Sequence, residues 1–108
     1  MGADYLRLEE APSREEIDRT PGLVLVEFGT GWCGHCRGLA PYLSRLLQDH
    51  PRVRHVKVED GPGRRLGRSF GVKLWPNLVF LRDGTVLRQL ARPSSVALRE
   101  AFQAVDPA

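Results

Sequence analysis

Cys33 and Cys36 are the only cysteines in the chain, three positions apart in Trp32-Cys33-Gly34-His35-Cys36. Two thiols at that spacing can close a small disulfide ring and reopen it by thiol exchange. The pair follows an apolar run, Leu23-Val24-Leu25-Val26-Glu27-Phe28. A helix beginning at the motif would place Cys33 at its N-terminus, where unpaired amides and the positive end of the dipole favour a thiolate. The thiolate is the nucleophile of disulfide exchange, so this placement predicts redox chemistry. Zinc is the competing reading. A structural zinc site takes about four ligands; beyond the cysteines the obvious donors are His35, His50 and His55, with no second CxxC and no HxxxH. A pair of inert buried thiols is the third reading, and catalysis fits the spacing best.

Elements able to position such a pair are legible on both sides of it. Leu23 to Phe28 has the length of a strand and the continuous apolarity of one buried on both faces. Leu39, Tyr42, Leu43, Leu46 and Leu47 recur at helical spacing to about Asp49, with Pro41 inside the pattern removing an amide donor and bending the helix. Upstream, the alternation Tyr5-Leu6-Arg7-Leu8 predicts a short first strand. Ser13 with Glu16 predicts a capping box, opening a helix that stops before Pro21-Gly22. Downstream, Val53, Val56 and Val58 mark a strand that ends at Glu59-Asp60-Gly61-Pro62. A helix around Arg64 to Phe70 follows, closed by Gly71. Leu78 to Leu81 and Val86 to Leu90 flank Asp83-Gly84, a hairpin signal. Ser94 or Ser95 caps a last helix bearing Val96, Leu98, Phe102 and Val105. The expected order is βαβαβαββα, an α/β fold with a central mixed sheet flanked by helices on both faces.

The 108 residues predict one domain, residues 1–108, with 42% hydrophobic and 27% charged residues, ordinary for a globular protein. No apolar stretch approaches the ~20 residues that span a bilayer. Met1-Gly2-Ala3-Asp4-Tyr5 lacks the basic start and apolar segment of a secretory signal, and Leu6 stands where a myristoylation motif has Ser or Thr. The expected location is cytoplasmic, where a permanent structural disulfide is unusual. The net charge of +3 is spread over arginines interspersed with 13 acidic residues. Arg64, Arg65 and Arg68 have no aromatic neighbour but Phe70, so this cluster reads as a solvated helix face, not a nucleic-acid site. His50 and His55 likewise read as structural or solvent-facing.

The chain resembles the thioredoxin family over nearly its whole length. The resemblance is carried by Glu27-Phe28, Trp32-Cys33-Gly34-His35-Cys36, Ala40-Pro41, Gly71-Val72 and Pro76, with the Asp83-Gly84 hairpin after them. Gly34-His35 between the cysteines is similar to protein disulfide isomerase domains; common thioredoxins carry Gly-Pro there. The lack of a signal peptide and of a second domain otherwise resembles a free-standing bacterial thioredoxin. This implies a thioredoxin fold and thiol–disulfide exchange with substrate proteins, without a cofactor. It further implies a monomer that receives electrons from a reductase protein, with neither nucleic acid nor membrane as partner.

The resemblance also assigns roles. Cys33 is the attacking nucleophile and the more exposed thiol; Cys36 resolves the mixed disulfide. His35 stabilises the Cys33 thiolate and makes the disulfide more oxidising. Typical thioredoxin and disulfide isomerase potentials differ by about 90 mV, or ~4 kcal/mol in dithiol stability, so this residue bears on the direction of electron flow. Glu27 is a buried acid that moves protons to and from Cys36, with Lys57 on the next strand as its expected partner. Pro76 matches a cis-proline that lets residue 75 pair with a substrate peptide as an added strand. Trp32 shields the sulfur and contacts partners together with Gly34. Trp75 departs from the family's usual Thr, Ile, Val or Tyr; its indole is a substrate platform, a narrowing of the groove or a core residue. Gly29 replaces a frequent aromatic, and Gly29-Thr30-Gly31 predicts a mobile loop. Arg92 stands where isomerase domains carry an arginine able to swing toward the second cysteine, with a surface arginine as the alternative. Alternative functions are oxidase or isomerase activity in an oxidising compartment, and a binding or chaperone module on the same fold.

Overall fold

In a computed structural model that describes residues 4–107, four strands form one mixed sheet between helices. Met1 to Ala3 and Ala108 lie outside the described residues, and with them most of the N-terminal segment read for targeting. The elements run α1 Arg14–Arg19, β1 Leu23–Gly29, α2 Gly34–Asp49, β2 Arg54–Glu59, α3 Arg65–Ser69, β3 Asn77–Arg82, β4 Thr85–Ala91 and α4 Ser95–Val105. The sheet order is β2-β1-β3-β4. β1 pairs in parallel with β2 and antiparallel with β3, and β3 pairs antiparallel with β4. Among the described residues no helix is long and apolar enough to cross a membrane.

Local sequence accounts for the boundaries. Ser13 accepts from the Glu16 amide and the Glu16 carboxylate accepts from Ser13 N–H, closing the capping box of α1. Ser94 caps α4 through the amide of Ala97. Asp83 and Gly84 both have positive φ, 49° and 82°, as a two-residue hairpin turn requires. The expected strand over Tyr5 to Leu8 does not form. Only Leu6 bridges β2, donating to Lys57 O at 2.7 Å and accepting from Glu59 N at 2.9 Å, and the chain then turns back at Arg7.

β1 is buried along its whole length, and its alternation sorts the core into two layers. Leu23 and Leu25 pack with Leu39, Leu43, Leu98 and Phe102 beneath α2 and α4. Val24, Val26 and Phe28 pack with Ile17, Leu66 and Val79 on the opposite face. The period of two places Glu27 and Gly29 on the α2 side, so one charged residue enters an apolar layer under the helix that begins at the cysteines.

Candidate active site

Cys33 is the N-cap residue of α2, and its Sγ accepts from the Cys36 amide at 3.2 Å. A sulfur here does what a Ser or Asp oxygen does at an ordinary cap. The first turn of α2 carries no acidic side chain, so Cys33 meets the positive end of the helix without competition. Both thiols are free, and both are buried, Cys33 at 7% and Cys36 at 3% exposure. Burial and the neighbouring Cys33 push the Cys36 thiol up to about 11, although the nearby Tyr5 hydroxyl and Thr30 backbone work against that rise. His35 and Gly34 are exposed on the first turn, beside a shallow groove of about 300 Å³ also lined by Tyr42, Pro76 and Arg92.

The Trp75–Pro76 peptide bond is cis, and Pro76 is buried. Trp75 is neither a plain core residue nor a free platform. It rests on the α3 side of the core, its indole N–H donates to Asp60 Oδ2 at 2.8 Å, and Trp32 meets it edge to face at 5.7 Å. Trp32 is 75% exposed, so the pair forms an apolar rim beside the cysteines. Arg92 departs from the expected swinging arginine. Its Nε donates to the Trp75 carbonyl at 2.9 Å and its amide to Pro76 O at 2.7 Å, at a φ of 50°. These bonds commit it to the proline loop.

Glu27, 2% exposed, is the other correction. Lys57 lies directly opposite it in the strand register, yet the side chain that reaches the carboxylate is His55, Nε2 to Oε1 at 2.7 Å. Tyr5 donates its hydroxyl to Oε2 at 3.1 Å. Lys57 Nζ sits instead over the Tyr5 ring, 4.4 Å from its centre, a cation–π contact. His55 is thus not merely solvent-facing. Tyr5 belongs to the site although its residue type and position gave no sign of it. One signal was available: a ring must fill the space left where Gly29 replaces the frequent aromatic. Gly29 ends β1 and is buried; it is not part of a loop. His50 is engaged elsewhere, with Asp106 at 2.9 Å, and among the described residues no three His, Cys, Asp or Glu side chains group to hold a metal.

Comparison with known proteins agrees with this geometry. The thioredoxin family model matches residues 5–103. A thioredoxin H-type of Ricinus communis is 34% identical over 83 residues, covering 77% of this chain and 70% of the relative. Protein disulfide-isomerase A3 of Gallus gallus is 34% identical over 113 residues, which is 89% of this chain but 22% of that longer protein. Among solved structures, reduced thioredoxin 2 from Pseudomonas aeruginosa PAO1 is 56% identical. It superposes with a TM-score of 0.84 over 97% of this chain and 96% of that one.

Proposed function

This chain belongs to the thioredoxin family and is a thiol–disulfide oxidoreductase, and we propose that it works as a single-domain cytoplasmic reductant of protein disulfides. The observation that carries the reading is Cys33 Sγ capping α2, 3.2 Å from the Cys36 amide. In the proposed cycle Cys33 attacks a substrate disulfide, one substrate thiolate leaves, and a mixed disulfide forms. Cys36 then attacks Cys33, the Cys33–Cys36 bond closes, and the second substrate thiolate leaves. The protein dithiol is oxidised and the substrate disulfide reduced; a thioredoxin reductase-like protein supplies the electrons for the next round. Trp32, Gly34, Trp75 and Pro76 receive the substrate, and Glu27 serves the proton of Cys36.

His35 supports a second reading. An imidazole one residue before Cys36 can stabilise the Cys33 thiolate, which makes the disulfide more oxidising and suits an isomerase or oxidase. Equilibration of Cys33–Cys36 against glutathione buffers decides between them. A potential near about −270 mV supports the reductant, and one tens of millivolts higher, toward about −180 mV, supports the oxidising role. Cys33→Ser is expected to abolish disulfide reduction; a variant retaining full biological activity would make the protein a binding module.

A further inference from the structure

Resolution of the mixed disulfide requires the Cys36 thiol to lose a proton inside a buried site. Among the described residues, the hydrogen bonds of the Glu27 carboxylate are to Tyr5 at Oε2 and to His55 at Oε1. The tyrosine hydroxyl therefore stands where the proton must pass. Its seat is built for it: a Cβ on Gly29 would lie 2.6 Å from the Cys36 sulfur and 2.7 Å from the Tyr5 hydroxyl oxygen. A side chain there would press on both atoms, so glycine leaves room for sulfur and hydroxyl on the same side of that Cα. We propose that Tyr5 is a catalytic residue, its hydroxyl carrying the proton between Cys36 and Glu27 while His55 positions the carboxylate from its other oxygen.

The proposal rests on the exchange reading above, with Glu27 as the base. In the resolving step the Cys36 S–H bond breaks and the Cys33–Cys36 bond forms. The bond between Cys33 and the substrate breaks, and its electron pair leaves with the substrate thiolate, which takes a proton from solvent. The thiol proton moves to the Tyr5 oxygen as the tyrosine proton moves to Glu27 Oε2, so the hydroxyl ends neutral. Burial and the Glu27 charge hold Tyr5 protonated far above the ordinary tyrosine range, which suits a neutral bridge. Glu27 then returns the proton to water through a cavity of about 290 Å³ lined by Ala40, Ser44, Gln48, His55 and Lys57. Tyr5 from the N-terminal segment and His55 from β2 meet Glu27, Lys57 from β2 lines the same cavity, and Cys36 on α2 lies across Gly29 from the Tyr5 hydroxyl. Its partner on β3 is Leu78, which carries no charge.

Stopped-flow mixing of the reduced protein with dithiobis-nitrobenzoate separates the steps. The first coloured thiolate reports attack by Cys33 and the second reports resolution by Cys36. Tyr5→Phe keeps the ring, and a cooperative thermal transition shows that it folds. The first release should be unchanged and the second about tenfold slower or more at neutral pH. That deficit should shrink as pH climbs, because hydroxide can then take the Cys36 proton without the hydroxyl. A second release at the wild-type rate overturns the proposal, and so does slowing by one constant factor at every pH, the mark of lost packing. His55→Leu should slow the second release and His55→Gln, whose amide can still donate to Oε1, should restore it. A Leu variant with normal second release overturns the part given to His55. Failure of the first release in the wild-type protein would instead bring down the exchange reading itself.

Discussion

A thiol pushed up to about 11 next to a capping sulfur divides the labour between two chemically identical residues. Cys36 is held as a thiol by burial, by its hydrogen bond with Cys33 and by the charge of that neighbour. Cys33→Ser removes the charge and should let Cys36 titrate below 11, measurable as thiolate absorbance. The same shift links to stability. The folded value lies above the ordinary cysteine value of about 8.5, so it stabilises the reduced fold below that pH. The contribution is lost as pH rises from there through about 11. The melting temperature of reduced wild type should therefore fall relative to Cys36→Ala across that window and stay parallel to it at neutral pH. Asp60 acts beside this pair through a different contact. It holds the Trp75 indole, and a Cβ on Gly67 would lie 2.2 Å from its Oδ1. Gly67→Ala should displace the carboxylate and release Trp75, as Asp60→Ala does directly. Loss of one charge-assisted hydrogen bond on the Trp32–Trp75 rim, the proposed substrate surface, is worth about 1.5–3 kcal/mol. It should appear mainly as a raised KM for a peptide disulfide, with kcat little changed.

At the scale of elements, the stretches that could be read from sequence were those with a long period. β1 and α2 carry strand-length apolarity and a repeating helical face, and both form within a residue or two of expectation. The capping Ser13, the cap of α4 and the Asp83-Gly84 turn were legible because each is a local rule. The strand over Tyr5 to Leu8 was not, since four alternating residues do not reveal how many backbone bonds they will make; only Leu6 found partners. The neighbours of Glu27 were hidden for a related reason. The parallel register puts His55 and Lys57 on the same face of β2. Side-chain reach then decides which one meets the carboxylate. The hairpin offers a sharp test of element-level constraint. Gly84 has φ +82°, and a Cβ there would meet the Asp18 carbonyl oxygen at 2.0 Å. Because that obstacle is backbone, Gly84→Ala should destabilise by about 2 kcal/mol or more, read as a shift in the denaturant midpoint. The turn lies at the end of β3 away from Pro76, so the second-order rate with a model disulfide should stay near wild type while the protein remains folded.

The whole molecule depends on keeping α2 seated over the sheet, since both cysteines and the roof over Glu27 belong to that helix. Its C-terminal end is fastened by an arrangement separate from the redox site. His50, the C-cap residue of α2, meets Asp106 Oδ2 at 2.9 Å, and Arg52 bonds the other oxygen. Asp106 is itself the C-cap residue of α4 and is buried at 4% exposure, so one carboxylate joins two helix ends to the turn before β2. The hydrogen bond with His50 and the Arg52 charge hold its carboxyl below the ordinary aspartate range. A depressed carboxyl stabilises the fold above its unfolded value of about 3.9 and loses that contribution as pH falls through the lower folded value. Asp106→Asn should therefore cost about 1 kcal/mol at neutral pH, or roughly 4–8 °C in Tm for a domain of this size. The gap to wild type should close in melts below about pH 3.9. Since the fastener lies at the far end of α2 from Cys33, the Cys33–Cys36 potential of the folded variant should match wild type. A potential that moves with Asp106 would mean that the seating of the helix, as well as the residues at its N-terminus, sets the stability of the reduced pair.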